Sequence, residues 1–212
     1  MQLLGYPVTV QVADVDESSV TDPDPAVNVV KTAVLKATTI HHRLQERSEP
    51  SLIVAADTIV SLDQQMLGKP VDAAEAWQML AALRNRQHDV HTGLVVLDPQ
   101  SGHMVSRVNT AVVTMRGYTD EEIAAYVASG DPLDKAGAYA IQHPVFQPVA
   151  DMAGCYTAVM GLSVCELITV LDSLGLPRRA DLTAVYHAHE VAGRHYPCPI
   201  YDQILVKSSE SC

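Results

Sequence analysis

Apolar positions along the chain change period repeatedly, and each change marks an element. Leu52-Ile53-Val54-Ala55-Ala56 is an unbroken apolar run of the length a buried strand uses, and it closes on Asp57-Thr58. After a polar turn around Asp63-Gln64-Gln65 the chain passes through Gly68-Lys69-Pro70 to Asp72. With Glu75 three residues on, Asp72 makes the N-terminal capping signature of a helix over 73–83, with Ala76, Trp77, Leu80 and Leu83 inward. Helical spacing also runs through Val30, Ala33, Val34, Ala37, Ile40 and Leu44, with Pro25 suited to the first helical position. Thr119 with Glu122 opens a helix through Ile123, Tyr126 and Val127 that ends at Gly130. Ser163 with Glu166 opens another, through Val164, Leu167, Ile168, Leu171 and Leu174 to Gly175.

Strand periods fill the gaps. Leu3-Leu4-Gly5 reads as a helix end, after which Val8, Val10 and Val12 alternate as one face of a strand. His88–Asp98 and Gly102–Met115 predict a β-hairpin across Pro99-Gln100-Ser101-Gly102, and Val145–Val149 a further strand. Alternating strands and helices with one hairpin predict an α/β fold: a mixed, twisted sheet flanked by helices, in two lobes with a cleft between them.

Composition narrows the function classes. A chain of 212 residues, 48% hydrophobic and 18% charged, is long enough to bury a proper core and has the balance of a water-soluble globular protein. No apolar run reaches membrane-spanning length and the first residues are not those of a signal peptide, so the expectation is a cytoplasmic protein with no membrane partner. A net charge of −11 argues against nucleic acid as a partner. It also repels any polyanionic small molecule unless cations are placed locally. There are only five lysines.

Candidate chemistry starts at Asp57 and Lys69. An acid at the end of a strand and a lysine just ahead of a helix bring a carboxylate and an ammonium towards one pocket. A carboxylate takes protons or holds a metal, and a lysine near a helix N-terminus suits phosphate. Asp134 and Lys135, adjacent in a loop with Gly137, repeat the combination. Gln142 follows a short apolar run and offers both a donor and an acceptor, as reading a base edge requires. Four cysteines (Cys155, Cys165, Cys198, Cys212) form no CxxC pair and read as free thiols in a reducing compartment. His187, His189, His195 and Cys198 lie close in sequence, but their spacing fits no zinc pattern.

The order VAADTIV, LGKP, EAWQMLAAL, HDVHTGLVV, TDEEIAAYVASGDPLDKAGAYAIQ resembles the Maf family, the septum-formation-inhibitor-like nucleoside triphosphate pyrophosphatases. The resemblance runs from Leu3 to about Leu176. It implies a Maf-like pyrophosphatase domain over 1–176 and a C-terminal extension, 177–212, outside the family pattern, left open between capping an edge and contributing to a homodimer. It further implies cleavage of a nucleoside triphosphate between the α- and β-phosphates, with Asp57 as proton acceptor. Lys36, Thr58, Lys69, Lys135 and Gln142 would bind substrate. Glu17, Asp57 and Asp134 would surround a divalent metal, Mg or Mn. Thr58 and Gln142 match the type acting on dTTP and UTP. His88, matching a family histidine, is open between a structural hydrogen bond and contact with substrate. Relatives begin with a strand and an S-x-S-P-R-R loop. Without them the expectation is a sheet short of its N-terminal strand, with one edge unpaired and a pocket lacking guanidinium groups. Two rivals are a catalytically weakened nucleotide-binding or cell-division regulatory relative, and an unrelated α/β phosphohydrolase with Asp57 as nucleophile.

Overall fold

The computed structural model describes residues 2–44, 51–191 and 193–209, so Cys212 lies outside the described residues. Its centre is a five-stranded sheet made of β1 (Ile53–Leu62), β2 (Gln65–Leu67), β3 (Gln87–Leu97), β4 (Met104–Met115) and β5 (Val149–Ala153). The order is β2-β1-β3-β4-β5. Every described pairing in it is antiparallel, so the parallel part expected of a mixed sheet is not among them. Helices α1 (Pro25–Leu44), α2 (Ala73–Leu83), α3 (Asp120–Ala128), α4 (Tyr156–Val159) and α5 (Val164–Ser173) flank it, giving the α/β class that the pattern predicts.

Caps act where the sequence placed them. The side chains of Asp72, Thr119 and Ser163 each accept the amide hydrogen three residues on, from Glu75, Glu122 and Glu166. The β1–β2 turn sits on Asp63 and Gln64, both with positive φ as a tight hairpin turn needs.

Four local expectations are corrected. β1 does not stop at the acid; it runs through Asp57 to Leu62, because β-branched Thr58, Ile59 and Val60 continue the ladder opposite β3. Val8, Val10 and Val12 form no strand. Val10 is 87% exposed, and no ladder partner for them exists among the described residues. Residues 144–146 form a turn and 147–148 no regular structure, since Pro144 and Pro148 supply no amide donors; β5 starts only at Val149. Trp77 is 37% exposed, because the buried stripe of α2 is Ala76, Leu80 and Leu83 and the next residue round the helix turns outward.

Three apolar clusters fill the layers. One joins α2 and α3 to the lower half of the sheet through Leu80, Leu83, Val90, Val113 and Ile123. A second packs Ala33, Ala37 and Ile40 of α1 onto Ile53 and Val95. The third gathers α5, Leu4, Leu94 and Val96 with the C-terminal segment. That segment is α6 (Leu182–His187), the short β6–β7 pair (Glu190–Val191, Arg194–His195) and α7 (Pro199–Ser209).

Candidate active site

β1 and α1 bring the first charges together. Alternation along β1 turns Ile53 and Ala55 towards α1, and two residues on it turns Asp57 the same way. On α1, Asn28, Thr32 and Lys36 recur every fourth residue and form a polar stripe beside the buried Val29, Ala33 and Ala37. The helix can lie this close because Gly93, the residue paired with Asp57 across the ladder, has no side chain. A Cβ there would stand 2.6 Å from the Val29 carbonyl oxygen.

Lys36 Nζ consequently sits 2.6 Å from Asp57 Oδ1 and 2.8 Å from Glu17 Oε1. Burial raises the Asp57 carboxyl above the ordinary carboxylate range, and the opposing pull of Lys36 does not cancel it. Burial alone would lower the Lys36 ammonium, but its hydrogen bonds to Asp57 and Glu17 hold it above its usual value. A carboxylate thus raised holds a proton more strongly than a free one.

A cavity of about 620 Å³ opens on this trio. It takes Ala56 to Val60 in succession, so side chains from both faces of β1 line it. The cavity therefore follows the strand's edge, where β2 pairs only with Val60–Leu62. All eight residues expected at the site line this one cavity: Glu17, Lys36, Asp57, Thr58, Lys69, Asp134, Lys135 and Gln142. Loop joins loop through the Gly137 amide, which donates to the Gly68 carbonyl at 3.0 Å and holds the Lys135 loop against the Lys69 loop. Gly137 has positive φ, and a Cβ on it would press on Val60 at 2.9 Å. Lys135 Nζ is fixed by Asp134 Oδ1 at 2.7 Å and Asp131 Oδ1 at 3.1 Å. Thr58 and Thr92 share a hydroxyl hydrogen bond of 2.9 Å, and Thr92 donates to the Ala158 carbonyl. That chain leads to Val159, Met160 and Gly161 on the far wall.

Asn28 and Thr32 line the cavity but were not singled out from the sequence; their i, i+4, i+8 relation to Lys36 was the available signal. Asn28 Nδ2 donates to the Val20 and Asp22 carbonyls, fixing the segment that presents Glu17. His88 is buried with Nε2 2.8 Å from the Tyr139 hydroxyl, a structural contact.

The Maf-like protein family model matches residues 1–174. Among curated relatives, a dTTP/UTP pyrophosphatase of Syntrophotalea carbinolica is 39% identical over 175 residues, 82% of this chain and 79% of its own. The dTTP/UTP pyrophosphatase of Moorella thermoacetica is 40% identical over 174 residues, 82% of this chain and 87% of its own. That of Caldicellulosiruptor saccharolyticus is 36% identical over 177 residues, 82% of this chain and 88% of its own.

Proposed function

The chain belongs to the Maf-like family, and on that premise we propose that it is a nucleoside triphosphate pyrophosphatase acting on dTTP and UTP. The observation that carries the chemistry is the Glu17–Lys36–Asp57 trio opening on the same cavity as Lys69 and Lys135. Asp57 accepts the proton of a water that attacks the α-phosphorus. The bond from that phosphorus to the α–β bridging oxygen breaks, pyrophosphate leaves, and the nucleoside monophosphate remains. Lys36 orients the Asp57 carboxylate, while Lys69 and Lys135 hold phosphate oxygens that the chain's net charge of −11 would otherwise repel. Thr58 and Gln142, on the cavity wall, face the nucleoside end, where Gln142 can pair with both a donor and an acceptor of a pyrimidine.

The residues present fit a Mg or Mn ion. Glu17 and Asp57 are hard oxygen donors brought together on Lys36, and each has a second carboxylate oxygen that can hold an ion beside the ammonium. When bound there, such an ion offsets phosphate charge. Asp134, the third carboxylate expected around a metal, gives one oxygen to Lys135, which suits it equally to orienting that ammonium. No helix among the described residues is long and apolar enough to cross a membrane. The described cysteines are free, which fits the reducing cytoplasm that supplies nucleoside triphosphates.

The test is a nucleotide panel with magnesium, separating pyrophosphate from orthophosphate release. UTP and dTTP are expected to give monophosphate and pyrophosphate ahead of GTP. Orthophosphate as the product, or nucleotide binding with no turnover, overturns the assignment.

A further inference from the structure

Three cysteines and a histidine meet inside the third apolar cluster, away from the nucleotide cavity. Cys155 precedes α4, Cys165 lies in the first turn of α5, His189 follows α6, and Cys198 precedes α7. All four are buried, none more than 3% exposed. Their ligand atoms, three Sγ and His189 Nε2, lie within 4.8 Å of one another. Nε2 is 3.6 Å from both Cys155 Sγ and Cys165 Sγ, and Cys198 Sγ is 3.8 Å from Cys165 Sγ.

Three of the six edges, at 3.6, 3.6 and 3.8 Å, have the length of a tetrahedron's round one ion, and the rest are within 4.8 Å. Zinc–sulfur bonds of about 2.3 Å and zinc–nitrogen bonds of about 2.0–2.1 Å set edges of about 3.8 Å between sulfurs and about 3.6 Å from sulfur to nitrogen. A disulfide would need sulfurs at about 2.05 Å.

The surrounding groups favour the ligating forms. His189 Nδ1 is 2.8 Å from the Val185 carbonyl, which fixes the proton on Nδ1 and leaves the Nε2 lone pair facing the sulfurs. Thr157 Oγ1 accepts the Val164 amide at 3.1 Å, so its own hydrogen is free for Cys155 Sγ, also at 3.1 Å. Ser163 likewise accepts the Glu166 amide and donates to Cys155 Sγ at 3.6 Å. Two hydroxyl donors on one sulfur stabilise a thiolate.

We propose that Cys155, Cys165, His189 and Cys198 bind a structural zinc ion. The set is closed, with four protein ligands and no position for water or substrate, as in structural rather than catalytic zinc sites. Binding converts three thiols to thiolates and releases their protons to solvent. Two ligands lie within the family match and two beyond its end at residue 174, so the ion ties the C-terminal segment to the body of the fold. The tie reaches the catalytic cavity through α4, since Cys155 stands at one end of that helix and Met160 and Gly161 line the cavity at the other.

The experiment is zinc stoichiometry by mass spectrometry on the full chain purified under reducing conditions, with the released metal titrated against a chromogenic chelator after thiol modification. One zinc per chain is expected. Asp57→Asn should keep it, and Cys198→Ser and His189→Ala should drop it to background and lower the melting temperature. In case those variants do not fold, the unaltered chain stripped of metal and refilled with cobalt should show the ligand-field bands of tetrahedral cobalt and thiolate-to-cobalt charge transfer. A folded, reduced chain that takes up no zinc when offered zinc alone, cobalt spectra without those bands, or a full zinc complement in Cys198→Ser/His189→Ala each overturns the site. Metal content is read independently of nucleotide turnover, so loss of the pyrophosphatase reading leaves this result standing.

Discussion

Asp57 is pulled in two directions: burial raises its carboxyl, and the Lys36 ammonium at 2.6 Å lowers it, with burial prevailing. Asp57→Asn keeps the shape and removes the base, so kcat should fall roughly 100-fold or more while nucleotide binding, measured by calorimetry, stays largely intact. Activity within a few-fold of the parent would remove Asp57 from that role. Lys36→Met removes the main lowering influence and leaves burial and the Glu17 charge opposed only by the Thr58 backbone hydrogen bond, so the Asp57 carboxyl rises further. With Asp57 as the proposed base, activity needs the ionised carboxylate and is lost as pH falls through that value. The acid limb of the kcat/KM profile should therefore move to higher pH in Lys36→Met, and a limb that stays put or moves down would contradict the pairing.

At the scale of elements, the decisive contact is between α1 and β3 at Gly93. A methyl group there would meet the Val29 carbonyl oxygen at 2.6 Å and its carbon at 2.8 Å, both backbone atoms of a helix that cannot yield locally. Gly93→Ala should push α1 off the sheet, costing about 1–3 kcal/mol by chemical denaturation. Because α1 carries Lys36, kcat should fall too, although no side chain of the cavity has changed. A variant with unaltered stability and rate would show that α1 is not positioned by this approach.

For the molecule as a whole, the C-terminal segment is part of the core. Val185 and Ile204 are completely buried against the cluster that holds α5, and Tyr201 joins them. The segment also seats the N-terminal turn, since the Asp181 amide donates to the Leu3 carbonyl and a Cβ on Gly5 would meet the Arg179 carbonyl oxygen at 2.6 Å. Burying Val185 and Ile204 is worth roughly 1.5–3 kcal/mol each, set against a total stability of about 5–15 kcal/mol for a typical domain. Truncation after Gly175 should therefore lower the melting temperature by many degrees or leave the chain insoluble. A truncated chain melting with the parent would make the segment a passive tail.

The sequence by itself determined the elements whose causes are local. Caps at Asp72, Thr119 and Ser163, the Asp63-Gln64 turn and the helical stripes of α1 and α5 follow from interactions within a few residues, and they appear where the pattern puts them. Glu17, Lys36, Asp57, Thr58, Lys69, Asp134, Lys135 and Gln142, named from the resemblance to the family, line one cavity. What depended on distant partners was not legible. Alternating valines at 8–12 formed no strand without a neighbour to bond, and the acid expected to end β1 lies inside it because the ladder to β3 continues past it through Ser61. Asn28 and Thr32 became cavity residues only once α1 was laid on β1. The thiol–imidazole cluster is the extreme case. Its ligands come from four separate element ends, so no spacing along the chain encodes it, and only the packing of α4, α5, α6 and α7 round one point makes a tetrahedron of them.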